Sequence, residues 1–579
     1  MKKLLPYLAN YKKECILSPV FKMLEAIFEL FVPLVVAAMI DQGIGYHKKG
    51  FLFGMSMLLV LLAIVGLGVS ITAQYFAAKA AVGFATSLRQ KLFSHLQSLS
   101  HTEIDAMGAS TMITRMTGDI TLVQNGVNMV LRLVLRSPFV VFGAMIMAFT
   151  IDPWTATVFV AVICGLSAVV FLIMNFNIPM MNDIQKKTDA LTQTARENLT
   201  GVRVIRAFVK EQEEIARFKG RNEALLTQQE KTGKISALMN PLTYVIVNIG
   251  IILLIRSGAV QVDRGALTQG EVIALYNYMS QILVELIKLA NLIVTINRAL
   301  AGAGRVSEAL EVKSSMSYPA VTGGSSQSAI PGECVSFSNV SLTYKDGGQP
   351  ALSEINFTAM MGWTVGIIGG TGCGKSSLVN LIPRFYDTTS GSVRIFGKDV
   401  RDYTKNELSA LVSVTPQKAV LFAGTIADNL RWGKEDATAA EMQEAVLMAQ
   451  AGEVVEKKGG LSAVVEPGGK NFSGGQRQRL TVARALVGKK PILILDDSSS
   501  ALDMVTDKRL REALRTREYP STTFIVSQRT AAISDADMIL VMDNGRIVAS
   551  GKHEELLATC DLYREIHETQ QKGAREVSA

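Results

Sequence analysis

Charged residues are absent from three long stretches in the first half of the chain, 51–73, 154–182 and 235–255. Each is long enough for a helix to cross the hydrocarbon core of a bilayer, which takes ~20 residues at 1.5 Å per residue. Three more stretches are apolar but interrupted. Residues 17–40 carry Glu25 and Glu29, residues 127–151 carry Arg132 and Arg136, and residues 272–296 carry Glu285 and Lys288. Together they predict six membrane-crossing helices. The links after the first, third and fifth are short. Those after the second and fourth are long, polar and free of strong breakers. Helices continuing through such links would project past the bilayer as an antiparallel stalk. Charge inside a span is costly and marks candidate cargo or ion pathways. Glu25, Glu29, Arg132 and Arg136 fall near predicted helix ends, where water reaches. Glu285 and Lys288 are spaced i,i+3 and can simply pair, and they are the better candidates for groups facing a cavity.

Basic residues orient the spans. Lys2, Lys3, Lys12 and Lys13 precede the first, and the segment 177–235 carries eleven Lys or Arg. The turn Ile151-Asp152-Pro153 has none, whereas His47, Lys48 and Lys49 oppose the pattern from a short loop. Both termini are expected in the cytosol, with the chain multi-pass in a cell membrane. The N-terminus lacks the apolar core and cleavage site of a signal peptide. Composition agrees: 49% of residues are hydrophobic and 19% charged, more apolar than ordinary soluble chains. The net charge of +8 suits basic loops beside an anionic bilayer surface better than a nucleic-acid partner. Five scattered cysteines have neither disulfide-framework nor zinc spacing.

The grammar changes near residue 313. Residues rich in Ser, Gly and Pro follow, as in an exposed linker. Beyond them, β-rich stretches at 335–340, 364–368, 491–495, 522–526 and 538–542 alternate with helical patterns. That alternation predicts an α/β domain with a largely parallel sheet. The expected division is 1–312 for the membrane domain, 313–332 for the linker and 333–579 for the α/β domain.

Gly369-Gly370-Thr371-Gly372-Cys373-Gly374-Lys375-Ser376 fits GxxxxGK[ST] and lies between a predicted strand and a predicted helix. The glycines let backbone N–H groups converge on phosphate oxygens, and the following helix adds its positive end. Lys375 supplies a full charge and Ser376 a hydroxyl for Mg²⁺. A Gly-rich turn with a chance lysine is the plain alternative, and the strand–helix setting argues against it. Ile492-Leu493-Ile494-Leu495-Asp496 is an apolar strand ending in a carboxylate, suited to hold Asp496 rigidly near the metal's water shell.

Phe472-Ser473-Gly474-Gly475-Gln476, followed by Arg477-Gln478-Arg479, resembles the LSGGQ signature of ABC ATPases, and the resemblance covers nearly the whole chain. It implies a membrane all-α domain of six transmembrane helices with long cytosolic extensions, fused to an α/β P-loop ABC ATPase domain. It further implies that Tyr344 stacks on adenine, that Ser377 joins the phosphate loop in binding ATP, and that Gln417 senses Mg²⁺ and faces the membrane domain. Ser500-Ala501-Leu502-Asp503 looks like the D-loop. Gly108, Arg115 and Asp119 lie in a segment similar to the first coupling loop of ABC exporters. Glu197 to Gly201 and Ile205 to Phe208 resemble the second. In the family, Ser473, Gly474, Gly475 and Gln476 would close on ATP held by an opposite subunit, so one chain needs a partner.

Two positions depart from the family. A Glu usually follows the strand-ending Asp, and here it is Asp497. A His usually contacts the γ-phosphate, and here it is Gln528, which cannot titrate near neutral pH. The ATP-binding residues are otherwise intact. The pairing resembles the degenerate subunit of heterodimeric bacterial ABC exporters. The expected activity is ATP-dependent export of an unidentified, amphipathic substrate (drug, lipid or peptide), with low hydrolysis at the chain's own site and a partner that carries the missing Glu and His. The alternative is an ATP-gated channel or regulatory subunit in which binding dominates over hydrolysis. The uncharged spans exclude a soluble ATPase acting on nucleic acid.

Overall fold

The computed structural model describes residues 2–319, 331–345, 347–498 and 500–578, with side chains described as far as residue 571. Residues 320–330 of the expected linker lie outside the described residues. The chain divides into two units, Met1–Gln97 with Ala109–Val312, and Ser98–Gly108 with Lys313–Ala579.

Among the described residues, the first unit contains six long apolar helices: α1 (Lys3–Ile44), α2 (Lys49–Ser98), α3 (Ala109–Ile151), α4 (Pro153–Thr200), α5 (Glu211–Asp263) and α6 (Gln269–Glu311). They run 42 to 53 residues, roughly twice the ~20 needed to span hydrocarbon, so each continues well past the bilayer. The protein is therefore a multi-pass membrane protein. On α2, Ala73, Ala77, Ala80, Ala81 and Ala85 form a buried small-residue face, which lets neighbouring backbones approach. Phe53, Met57, Leu61 and Ile64 stay exposed, as lipid-facing side chains do.

Caps fix where the helices turn. The Asp152 carboxylate accepts from the N–H groups of Trp154 and Thr155, with Pro153 in the first turn of α4. Thr268 and Glu271 form a capping box at the start of α6. Asp41 of α1 accepts from the Thr268 hydroxyl at 2.6 Å and the Gly270 N–H at 2.8 Å, tying α1 to α6.

The span charges are not all wet. Arg136 is buried among Glu25, Glu29 and Glu285, at 3.8, 2.6 and 2.6 Å. Lys22 pairs with Glu25 and Lys288 with Glu285, and Ser137 donates to Glu285. Arg136 and Glu25, expected at wet helix ends, instead belong to a packed cluster joining α1, α3 and α6. Charges cannot be left singly in such a place. Three helices distant in sequence bring the partners together, which spacing along one helix does not reveal.

Among the described residues, the second unit has twelve strands: β1 (Glu333–Leu342), β2 (Leu352–Met360), β3 (Thr364–Gly369), β4 (Ser390–Ile395), β5 (Lys398–Asp399), β6 (Val412–Thr415), β7 (Gly424–Thr425), β8 (Val464–Val465), β9 (Ile492–Asp496), β10 (Thr522–Val526), β11 (Met538–Asp543) and β12 (Arg546–Gly551). The central sheet has the order β12-β11-β3-β10-β9-β6 and is parallel except for β12. Every residue of β9 and β10 is buried, as expected of parallel strands covered on both faces. An antiparallel sheet, β2-β1-β4-β5, packs its apolar side into a core shared with β3 and β9. The helices of this unit include α7 (Lys375–Leu381), α8 (Gly474–Leu486) and α9 (Asp561–Ser578).

Candidate nucleotide site

The loop between β3 and α7 is shaped by its glycines. At Gly369, φ is +154°, and a Cβ would lie 2.1 Å from the Met542 carbonyl oxygen. At Gly374, φ is +99°, and a Cβ would lie 2.7 Å from the Ala351 carbonyl oxygen. Only glycine fits both the backbone and the space. The Lys375 ammonium donates to the carbonyls of Gly369 and Gly370 at 2.9 and 2.6 Å. It thus occupies its own loop, and phosphate oxygens would offer a stronger, charge-assisted partner.

Tyr344, Thr371, Gly372, Gly374, Lys375, Ser376, Ser377, Gln417, Asp496, Asp497 and Gln528 line one cavity of about 340 Å³. Gly370 sits in the loop beside it. Cys373 is buried, with its sulfur 3.6 Å from the Lys375 nitrogen, on the inner side of the loop. The Tyr344 hydroxyl donates to Ser377 at 2.9 Å, and its ring meets Tyr386 edge-on at 5.1 Å. The Ser376 hydroxyl donates to Asp496 at 3.0 Å. Burial pushes the Asp496 carboxyl above the usual carboxylate range. The neighbouring charge of Asp497 adds to this, while Ser376 and Lys375 oppose it. Two adjacent carboxylates, a hydroxyl and the Gln417 amide form an oxygen-rich corner. Such hard donors suit Mg²⁺, whose charge would relieve the strain on Asp496.

Asp497 has φ +47°, the left-handed region that Asp tolerates better than most residues. Its N–H donates to Val526 at 3.0 Å, and its carbonyl accepts from the Ser500 hydroxyl at 2.8 Å. Its backbone is therefore fixed at the end of β9.

Ser473, Gly474, Gly475 and Gln476 do not line this cavity. Ser473 caps α8: its hydroxyl accepts from the Gln476 N–H, and the Gln476 amide oxygen accepts from the Ser473 N–H. A Cβ at Gly475 would lie 2.8 Å from the Ala501 carbonyl oxygen, so the D-loop-like turn packs against the start of α8. Ser473 and Gly474 remain exposed. The cavity-lining residues and the signature-like segment are thus two separate surfaces of one chain.

Residues 352–500 match the family model described as ABC transporter, and residues 15–286 match the one described as ABC transporter transmembrane region. An uncharacterized ABC transporter ATP-binding protein of Mycobacterium tuberculosis (strain ATCC 25618 / H37Rv) is 33% identical over 577 residues, 98% of each chain. The chain belongs to the ABC transporter family. Within it, the chain is also similar to an ATP-dependent lipid A-core flippase of Hahella chejuensis, 32% identical across 90% of this chain and 88% of the flippase. A probable multidrug resistance ABC transporter ATP-binding/permease protein of Bacillus subtilis is 31% identical across 94% of this chain and 93% of the relative. The solved structure of a bacterial Atm1-family ABC exporter with ATP bound has the same fold, with a TM-score of 0.79 at 22% identity over 96% of this chain and 98% of that one. This ABC transporter therefore binds ATP through its C-terminal unit.

Of the coupling segments, the short helix His101–Met107 and Gly108 fold with the ATPase unit. His101 stacks on Phe385 at 4.7 Å, and the Tyr386 hydroxyl donates to Asp105 at 2.6 Å. Arg305 of α6 pairs with Asp119, giving that residue a local structural partner. At the other segment, Leu199, Phe208 and Val209 are exposed apolar side chains around a short helix, Val202–Ala207. Ala351, Val526 and Ser527 also line the nucleotide cavity. Sequence motifs gave no reason to name Ala351, which reaches the site through the β1–β2 turn.

Proposed function

We propose that this chain is one half of an exporter made of two different chains, and that its own nucleotide site holds Mg·ATP while cleaving it slowly. The observation that carries the need for a second chain is the separation of the two surfaces, and Asp497 and Gln528 are what point to a different one. The phosphate-binding cavity contains no residue of its own signature, so closure around ATP calls for a second chain. The degenerate site would use Tyr344, Gly370 to Ser377, Gln417, Asp496, Asp497 and Gln528, plus the partner's signature. The competent site would use the partner's Glu and His, closed by Ser473, Gly474, Gly475 and Gln476 of this chain. Bound between Ser376, Gln417 and Asp496, Mg²⁺ would neutralise phosphate charge.

Asp497 supports low turnover. Its carboxylate is one methylene shorter than the family's Glu, a retreat of roughly 1.5 Å. A displacement of ~1 Å can cost about 10²-fold in rate. Gln528 can donate a hydrogen bond but cannot become a cation there. Both changes fall on the cleavage step and spare binding.

ATP binding would draw the two ATPase units together. His101–Met107 is docked on the ATPase unit and covalently continuous with α2 and α3, so closure would bias the spans between two states. The exposed apolar turn around Leu199, Phe208 and Val209 fits a tip that docks on the partner. The cargo would be amphipathic. One cleft of about 430 Å³ in the membrane unit is lined by Glu29, Glu285, Asn277 and Gln281 among valines. Another of about 500 Å³ is lined by Arg132, Arg298, Asn125 and Asn128. The basic segment 177–235 supports a bacterial cytoplasmic membrane location with both termini in the cytosol.

A gated channel would also use a slow nucleotide site, and transport separates the two. The purified pair is reconstituted in vesicles with a concentration gradient of a fluorescent amphipath set against the pump direction. We expect uphill movement that needs hydrolysable ATP. Flow only down the gradient, equally supported by a non-hydrolysable analogue, would establish the channel instead.

A further inference from the structure

Gln528 stands in a loop whose backbone is held from an unexpected direction. The loop leaves β10, with the Ser527 N–H donating to Ile367 and the Arg529 N–H to the Ser527 hydroxyl. It then meets α9, the last helix of the chain. The Gln570 Nε2 of α9 donates to the Gln528 carbonyl at 2.6 Å. The Oε1 of the same amide accepts from the Thr530 N–H at 2.9 Å and from the Thr530 hydroxyl at 3.1 Å. Donor and acceptor of one amide are therefore spent on two peptides of the same loop, and that pattern fixes which way the amide points. His567, one turn earlier on α9, has Nδ1 3.0 Å from the same hydroxyl.

The clamp has a firm base. Tyr563 of α9 is fully buried, its hydroxyl lies 2.6 Å from His553 Nδ1, and Ile566 packs on the main core of the unit. Thr530 is also buried. Without Gln570, its N–H would lose its partner inside the protein, which is costly. The Gln528 side chain behaves differently. It is exposed to the nucleotide cavity, and among the described residues it makes no hydrogen bond. Its peptide is held and its amide is free, the condition expected of a group preorganised for a ligand.

We propose that Gln570 is a positioning residue for the nucleotide site: the C-terminal helix holds the Gln528 peptide so that its side-chain amide meets the γ-phosphate of ATP. This rests on the proposed role of Gln528 in the nucleotide site. The C-terminal helix then belongs to the machinery that tells ATP from ADP, although it lies some forty residues beyond the loop and, among the described residues, lines none of the cavity.

The test uses the full-length chain in lipid nanodiscs and measures equilibrium affinity for Mg·ATP and for Mg·ADP. Gln570→Ala is expected to weaken ATP about five-fold, the worth of one neutral hydrogen bond, and to leave ADP unchanged. Gln570→Glu keeps the acceptor for Thr530 but sets an oxygen against the Gln528 carbonyl. It should lower the ATP-to-ADP preference similarly, and it serves if the alanine variant folds poorly. Thr569→Ala, altered next door at an exposed position, should match the unmodified chain. In the double variant Gln528→Ala/Gln570→Ala the loss should not exceed that of Gln528→Ala alone. If Gln528→Ala reduces the preference while both Gln570 variants keep it, the positioning role is overturned. Equal loss of ATP and ADP affinity in the Gln570 variants also overturns it, leaving a packing role. If Gln528→Ala leaves the preference intact, the reading of Gln528 itself fails and the positioning role falls with it.

Discussion

In the proposed reading Asp497 and Gln528 would set the chemistry, and their surroundings bear on what each could do. The left-handed backbone at Asp497 (φ +47°) favours a short polar side chain, so the site is locally comfortable with the residue that shortens its reach. Restoring length restores reach at some conformational cost. With the partner's own site silenced, Asp497→Glu is expected to raise cleavage by the pair, by up to about 10²-fold. Adding Gln528→His should raise it further. Phosphate release by the single and double variants checks this, and no gain in either would mean that the slow step lies elsewhere. Thr371, Gly372, Gly374, Lys375 and Ser376 were legible in the sequence because the phosphate loop is a local motif with fixed spacing, whereas Tyr344, Gln417 and Gln528 came from the family resemblance and Ala351 from neither. Gln570 was not legible, because its meaning depends on a helix returning to a loop forty residues earlier. Nor was the Arg136 cluster, whose partners lie on three separate helices.

Among the elements, the short helix His101–Met107 carries a titratable contact, His101 against Phe385. Burial against Phe385 pushes His101 below the ordinary imidazole value. Asp105 pulls it back, and Lys405 lowers it further. A base lowered on folding contributes stability that is present above its unfolded value, ~6.5, and is lost as pH falls through the lower folded value. Acidification from about 7.5 to about 5.5 is therefore expected to loosen this helix. The check is amide exchange across 98–108, corrected for intrinsic rates. His101→Phe keeps the stacked ring, lacks the titration and should flatten the pH dependence. If the unmodified chain exchanges alike at both pH values, the ring does not hold the helix. The spans themselves could be read from their lack of charge, but their full lengths could not, since polar extensions carry no hydropathy signal. Strands β2, β4, β6 and β12 escaped notice, as did the two-residue strands β5, β7 and β8. The first two alternate irregularly across an antiparallel sheet, β12 is a half-exposed edge, and β6 has only four residues.

At the scale of the molecule, one chain carries a cradle and a closing surface that do not meet. In the proposed reading the cradle would bind ATP, the closing surface would serve another site, and the departures at Asp497 and Gln528 would make the two sites of a mixed pair unequal. One site would hold the halves together while the other drives the cycle. The most direct measurement is ATP cleavage by the purified full-length chain without any partner, set beside its equilibrium binding of Mg·ATP. The account predicts clear binding and turnover at no more than about one-hundredth of the mixed pair's rate. Turnover by the lone chain as fast as that of the pair would contradict it.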